Sequence, residues 1–238
     1  MKIALIGYGK MGHVIEQVAI ERGHTISLTI DKDNLQDLNK ENLKDTDVAV
    51  EFTTPEAAVS NYLQCFDFNI PVVSGTTGWL SEKEKVDEAC TKGGRFFYAS
   101  NFSLGVNLFF QINKYVAKLL WPYDNYTAQV EEVHHTQKLD APSGTAIKLS
   151  EGIIEHNPKL KKWENYVTKD RNILPIISKR IGAVPGMHSV IYTSKEDVLT
   201  IKHEAKSREG FALGAVLAAE FLVKQDKGWY GMDDLLNL

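Results

Sequence analysis

The sequence predicts an α/β protein in two parts: an N-terminal doubly wound parallel sheet, then an α+β part built on a mixed sheet. Three observations predict it. The first hundred residues alternate apolar β-type runs with amphipathic helical repeats. A glycine motif, Gly7-Tyr8-Gly9-Lys10-Met11-Gly12, separates the first run from the first helix. Beyond about residue 104, β-type runs follow one another without intervening helices.

Residues 3–6 form a short apolar strand that ends at Gly7. Met11, Ile15, Val18 and Arg22 mark a helix, which Gly23 stops. Residues 24–30 are β-rich and end at Asp31. Residues 48–53 are the next strand, and Pro55 suits the first turn of a helix. Residues 71–74 make a fourth strand, followed by Gly75-Thr76-Thr77-Gly78. Ser81 and Glu84 read as a capping box opening a polar helix. Residues 96–99 are a fifth strand. Right-handed crossovers place all the loops that follow these strands at the carboxyl edge of one sheet.

Residues 106–120 read as one long apolar helix and 126–133 as a strand. Pro142 cannot continue a strand and Ser143 is a good N-cap, so a helix is expected over 143–155. Strands follow at 173–181, 189–192 and 198–203, and residues 157–172, polar and aperiodic, read as a loop. A last helix over 209–224 carries Phe211, Ala215, Ala218, Ala219 and Leu222 on one face. The expected division is 1–103 with a returning C-terminal helical segment (208–238), and 104–207 as a second domain.

Composition bounds the function. Of 238 residues, 27 are basic and 31 acidic, and no long Lys/Arg run exists, so nucleic acid is not an expected partner. Lys159, Lys161 and Lys162 form a short solvated cluster flanked by acids. Cys65 and Cys90 read as reduced packing residues, and neither supports a disulfide or a metal site. No leader peptide and no membrane-spanning run is read, so a cytoplasmic protein with no membrane partner is expected.

The glycine motif follows a strand, opens a helix and has Asp31 at the end of the next strand. That context points to dinucleotide binding through Gly7, Tyr8, Gly9, Lys10, Met11 and Gly12. It makes the first sheet Rossmann-type. Asp31 suits the ribose hydroxyls of NADH, whereas Lys32 and Lys10 can pair with the extra phosphate of NADPH. These lysines read equally as solvated surface groups, so the expectation is NADH, NADPH or both. Gly75, Thr76 and Thr77 either touch the cofactor or form a plain turn. Ala99, Ser100, Asn101 and Phe102 end the fifth strand near the crevice. Phe102 either presses on the nicotinamide or fills a gap between domains.

The segment from His134 to Ala146 carries the chemistry. It holds His134, His135, Lys138 and Asp140 ahead of the helix opening at Ser143, Gly144 and Thr145. Free N–H groups at such an opening bind carboxylate or phosphate. Neighbouring residues on an extended chain face opposite ways, so His134 and His135 have different tasks. Imidazole suits proton donation near neutral pH. Asp140 reads as structural, and Glu132 as either a supporting partner of the site or an exposed strand residue, the latter being favoured. The pattern points to holding a small dianion and protonating it.

Further stretches join the glycine motif, Gly75-Thr76-Thr77-Gly78 and the run from His134 to Ala146. They are Glu51-Phe52-Thr53-Thr54-Pro55-Glu56, Asn101-Phe102-Ser103-Leu104-Gly105-Val106-Asn107, His203-Glu204-Ala205 with Ser207-Arg208, and Met232-Asp233-Asp234-Leu235-Leu236. On these stretches the chain resembles the 4-hydroxy-tetrahydrodipicolinate reductase family (dihydrodipicolinate reductases) of the diaminopimelate–lysine pathway. The resemblance implies that His134 donates a proton and that Lys138 is the other catalytic residue. It also implies that His135, Gly144 and Thr145 grip the carboxylates of a cyclic substrate between the domains. It implies a homotetramer joined through the second domain's sheet. The chain is short between Asp31 and Val48, its glycine loop is one residue shorter than in many members, and Lys32 stands where NADPH users often carry Arg. The competing reading is another amino-acid-linked NAD(P) dehydrogenase of similar two-domain build.

Overall fold

A computed structural model describes all 238 residues. Its first compact unit comprises Met1–Leu104 with Arg208–Leu238, and its second Gly105–Ser207. In the first, β1 (Lys2–Ile6), α1 (Lys10–Glu21), β2 (Thr25–Ile30), the one-turn α2 (Lys40–Leu43) and β3 (Val48–Glu51) follow in order. Then come α3 (Pro55–Asp67), β4 (Val72–Ser74), α4 (Lys83–Lys92) and β5 (Arg95–Tyr98). The sheet order is β2-β1-β3-β4-β5, and every pairing is parallel. Strand order reverses between β1 and β3, so the Gly7–Gly12 turn lies at the switch point, where such sheets bind ligands. Near-continuous apolar strands are what burial on both faces requires. Ile3, Leu5, Val50 and Phe97 sit in one core layer and Ala4, Ile6, Ala49 and Phe96 in the other.

The second unit holds most of α5 (Leu104–Leu120), then β6 (Thr127–His134) and α6 (Gly144–His156). It continues with β7 (Lys162–Glu164), β8 (Ile173–Arg180), β9 (Met187–Thr193) and β10 (Val198–Glu204). Its sheet runs β10-β9-β6-β8-β7 and is mixed: β6 pairs parallel with β8 and antiparallel with β9. Val106, Phe109, Phe110, Leu149 and Ile153 pack on the strand face that carries Val130, Leu174, Ile176, Val190 and Tyr192. The chain then returns to the first unit as α7 (Glu209–Leu222). There β11 (Gly228–Tyr230) extends the parallel sheet beyond β5, and α8 (Met232–Leu236) closes the chain.

Three local expectations are corrected. α4 starts at Lys83 rather than at a Ser81 capping box, because residues 80–82 form a 3₁₀ turn beneath the buried Trp79. The Trp79 indole N–H donates to the Thr76 carbonyl at 2.8 Å, which anchors that turn. The stretch 157–172 is not all loop, since β7 pairs with β8 at its centre. The C-terminal segment is not helical throughout, since β11 interrupts it. Cys65 and Cys90 are buried free thiols, with burial pushing the Cys65 thiol up to about 12 and the Cys90 thiol up to about 11. No helix is long and apolar enough to cross a membrane.

Candidate active site

In a strand, residues two apart share a face. On β6, Ala128 and Val130 point into the apolar core of the second unit, and Glu132 and His134 continue along that same face. Arg180 pairs in register with His134 from β8, and His188 stands across from Glu132 on β9. One end of the apolar layer is thereby replaced by four polar side chains. Glu132 is 0% exposed and His134 7% exposed. A lone buried carboxylate is costly, so its partners decide the site. Glu132 accepts the Ser143 N–H on both oxygens at 3.2 and 3.1 Å, and the Arg180 guanidinium donates to it at 3.2 Å. Its Oε2 lies 3.4 Å from His134 Nδ1 and 3.7 Å from His188 Nε2. Glu132 is therefore no exposed strand residue but the centre of the cluster.

Lys138 and Asp140 stand beside it on the loop after β6. The Lys138 ammonium holds the Asp140 carboxylate at 2.8 and 2.9 Å, which keeps that carboxyl below its usual range. His134 Nδ1 is buried and makes no hydrogen bond of good geometry. Burial first, then the charges of His188, Lys138 and Arg180, push the His134 imidazole down to about 4 against the pull of Glu132. Hydrogen bonds from its neighbours, with His188 and Ser143 foremost, outweigh burial at Glu132 and hold that carboxyl well below the usual carboxylate range. Gly186 leaves room for the imidazole: a Cβ there would meet His134 Nε2 at 3.3 Å. The ligand atoms of Glu132, His134 and His188 lie within 4.8 Å of one another. That is close enough for a metal ion, but the Glu132 oxygens are already engaged.

These shifts have a signed consequence for stability. His134 has a lower pKa folded than unfolded, so the unfolded chain takes up the extra proton between about pH 6.5 and 4. Stability is expected to fall by at most about 3 kcal/mol across that window as pH drops, and Glu132 adds loss of the same sign at lower pH. Thermal unfolding from pH 7 to 4.5 checks this. His134→Gln should flatten the profile, and an unchanged slope would remove His134 as its source.

Ser143 caps α6 by accepting the Ala146 N–H on its hydroxyl. Its own N–H goes to Glu132 and its hydroxyl meets His188 Nε2 at 3.1 Å. It is 3% exposed, so, contrary to the sequence expectation, it is committed within the protein and is no open substrate donor. Gly144 and Thr145 remain as the first-turn N–H groups of α6, and a Cβ at Gly144 would meet nothing within 4 Å. His135 is half-buried, follows the last residue of β6, and has an unpartnered Nδ1.

In the first unit Gly7 has φ +93°, and a Cβ on Gly12 would lie 2.5 Å from the Gly7 carbonyl oxygen. Gly9 is the N-cap of α1 and has open space where a Cβ would stand. Tyr8 donates its hydroxyl to Glu16, Met11 packs against the core, and Lys10 is exposed. Asp31 and Lys32 are exposed at the end of β2, and Asp31 Oδ1 accepts the Lys32 N–H at 2.9 Å. Sequence reasoning missed the role of Glu51. This carboxylate, 0% exposed, accepts the hydroxyls of Thr53, Ser74 and Thr76, and burial raises its pKa. The Thr76 hydroxyl also accepts the Thr53 N–H at 2.8 Å, so it braces two loops and is not free for a ligand, while Thr77 is exposed. The Phe102 ring packs on Phe52 and Phe97 inside the core of the first unit. Ala99 is buried beside it, Ser100 is exposed, and Asn101 accepts the Ser103 N–H.

Residues 1–102 match the family model for the N-terminus of dihydrodipicolinate reductase, and residues 105–236 match that for its C-terminus. The chain is 49% identical to a 4-hydroxy-tetrahydrodipicolinate reductase of Christiangramia forsetii, covering 100% of this chain and 98% of that protein. It is 37% identical to one of Clostridium novyi, over 99% and 98% of the two chains. Its fold is similar to a dipicolinate-bound dihydrodipicolinate reductase from Paenisporosarcina sp. TG-14, with a TM-score of 0.76, 24% identity and 98% coverage of each chain.

Proposed function

This chain belongs to the dihydrodipicolinate reductase family, and we propose that it reduces (2S,4S)-4-hydroxy-2,3,4,5-tetrahydrodipicolinate to tetrahydrodipicolinate with NADH or NADPH. One observation carries the reading: a buried imidazole, an ammonium and an open helix N-terminus converge in the second unit. That set suits a small ring bearing two carboxylates, and the Paenisporosarcina relative is described with such a ring bound. Lys138 and the N–H groups of Gly144 and Thr145 neutralise the carboxylates, with His135 as a further donor. The reduced nicotinamide supplies the hydride to the ring carbon from which the 4-hydroxyl leaves as water. His134 holds the proton for the ring carbon beside the one reduced.

The glycine turn fits a dinucleotide. The open space at Gly9 admits a pyrophosphate to the N-terminus of α1, and Gly7 and Gly12 make the turn tight enough to present it. Homotetramer assembly through the second sheet, and a cytoplasmic location that suits two reduced thiols, belong to the same proposal.

The test is loss of nicotinamide absorbance with each cofactor, using freshly made product of the preceding synthase. Turnover of open-chain amino or keto acids, with none of the cyclic dicarboxylate, overturns the proposal. In the same assay Asp31→Ala should weaken NADH more than NADPH, because only the unphosphorylated ribose presents both hydroxyls to that carboxylate. Equal losses would remove Asp31 from cofactor selection.

A further inference from the structure

We infer that Glu132, fully buried, and the partly buried Arg180 are a positioning pair that sets His134, the Lys138 loop and the opening of α6 in one arrangement. The inference rests on the function proposed above for His134 and Lys138. The two residues lie 48 positions apart, on β6 and β8, and meet at 3.2 Å with the carboxylate fully buried. Besides the Lys179 carbonyl of its own strand, the guanidinium reaches three further acceptors at once. It donates to Glu132 Oε1, to the Asp140 carbonyl, and through Nε to the Lys138 carbonyl at 3.2 Å. From the other side the carboxylate holds the Ser143 N–H and faces His134 Nδ1. Each of these contacts therefore lands on a segment that carries one of the proposed functional groups.

A rigid planar fork presents separate nitrogens to acceptors spread over a loop and a strand, whereas an ammonium offers all its donors from one nitrogen. The pair also surrounds His134 with charge of both signs. The groups facing that imidazole are Glu132 from its own strand, Arg180 from β8 and His188 from β9. Lys138 with its partner Asp140 comes from the loop. His203 on β10 stands behind His188. Of these, Glu132 favours the imidazolium and Arg180 opposes it. The two partners thus act on His134 in opposite directions while holding the loop and the helix opening beside it.

The experiment compares Glu132→Gln, Arg180→Gln and Arg180→Lys in the full chain. The readouts are the His134 imidazole titration by NMR, free and with dipicolinate added, and kcat with KM for substrate and cofactor. Arg180→Gln is expected to move the His134 titration to higher pH and Glu132→Gln to lower pH. Arg180→Lys keeps the charge and should leave the titration in place. It should still lower kcat roughly tenfold or more, because the loop acceptors are lost. NADH affinity should be unchanged in all three. Titrations that move the same way in both Gln variants, or wild-type kcat in Arg180→Lys, overturn the inference. If a Gln variant does not fold, Arg180→Lys decides alone by its kcat. The NMR arm needs no turnover, so a chain that failed to reduce the cyclic dicarboxylate would overturn the function while the pair's effect on His134 was still measured.

Discussion

His134→Ala is expected to lower kcat by about 10²-fold or more, the usual range for losing a positioned general acid. The variant should stay folded, because His134 Nδ1 makes no good hydrogen bond whose loss would strand a buried partner. NAD(P)H binding to the first unit gives an independent check of that. The free protein holds the imidazole neutral at pH 7, since its pKa is pushed down to about 4. A proton donor in that state needs an anion beside it. A dianionic substrate within about 4–6 Å supplies one and favours the imidazolium. Proton and substrate therefore load together. The pH limb due to His134 is expected to lie higher in kcat than in kcat/KM, and His134→Ala should abolish it in both. A kcat within threefold of wild type, with the limb intact, would assign the proton to another group.

What was legible in the sequence was local. The glycine turn, the strand–helix alternation and the N-cap at Ser143 are each fixed by residues within a few positions of one another. Glu132 was misread because an isolated charge on a strand is usually solvated. Its burial depends on Ser143 eleven residues away and Arg180 forty-eight away, contacts that no window of sequence contains. One signal was present all the same. β6, β8 and β9 each place a polar group two residues beyond an apolar one on the core face: Glu132 after Val130, Ser178 after Ile176, and His188 before Val190. Three in-register strands changing polarity at the same level mark a site rather than a solvated edge. Glu51 escaped for the same reason as Glu132, since the hydroxyls that satisfy it come from Ser74 and Thr76 on the next strand and its loop as well as from nearby Thr53. The strands β7 and β11 are three residues each, too short for periodicity to register.

Gly7→Ala is expected to produce the second large effect, in the first unit. At φ +93° an added Cβ would lie 2.0 Å from the Phe52 carbonyl oxygen and 2.9 Å from Thr53 Cγ2. Neither neighbour can retreat easily, because Gly7 donates to the Ile30 carbonyl and Phe52 to the Ile6 carbonyl, both at 2.8 Å. A left-handed conformation costs a side-chain-bearing residue about 1–2 kcal/mol, and overpacking adds about 1–3 kcal/mol. For a chain of this size that corresponds to a Tm lower by roughly 4–20 °C, together with at least a tenfold loss of NAD(P)H affinity as the turn is displaced. Gly9→Ala separates the two causes. Its φ is −83° and its Cβ would meet nothing within 4 Å, so the fold should tolerate it with little change in Tm. If that open space is where the pyrophosphate comes in, affinity for NAD(P)H should nevertheless fall. A Gly9→Ala variant that binds both cofactors as tightly as wild type would mean that the turn serves the fold alone and that the dinucleotide lies elsewhere.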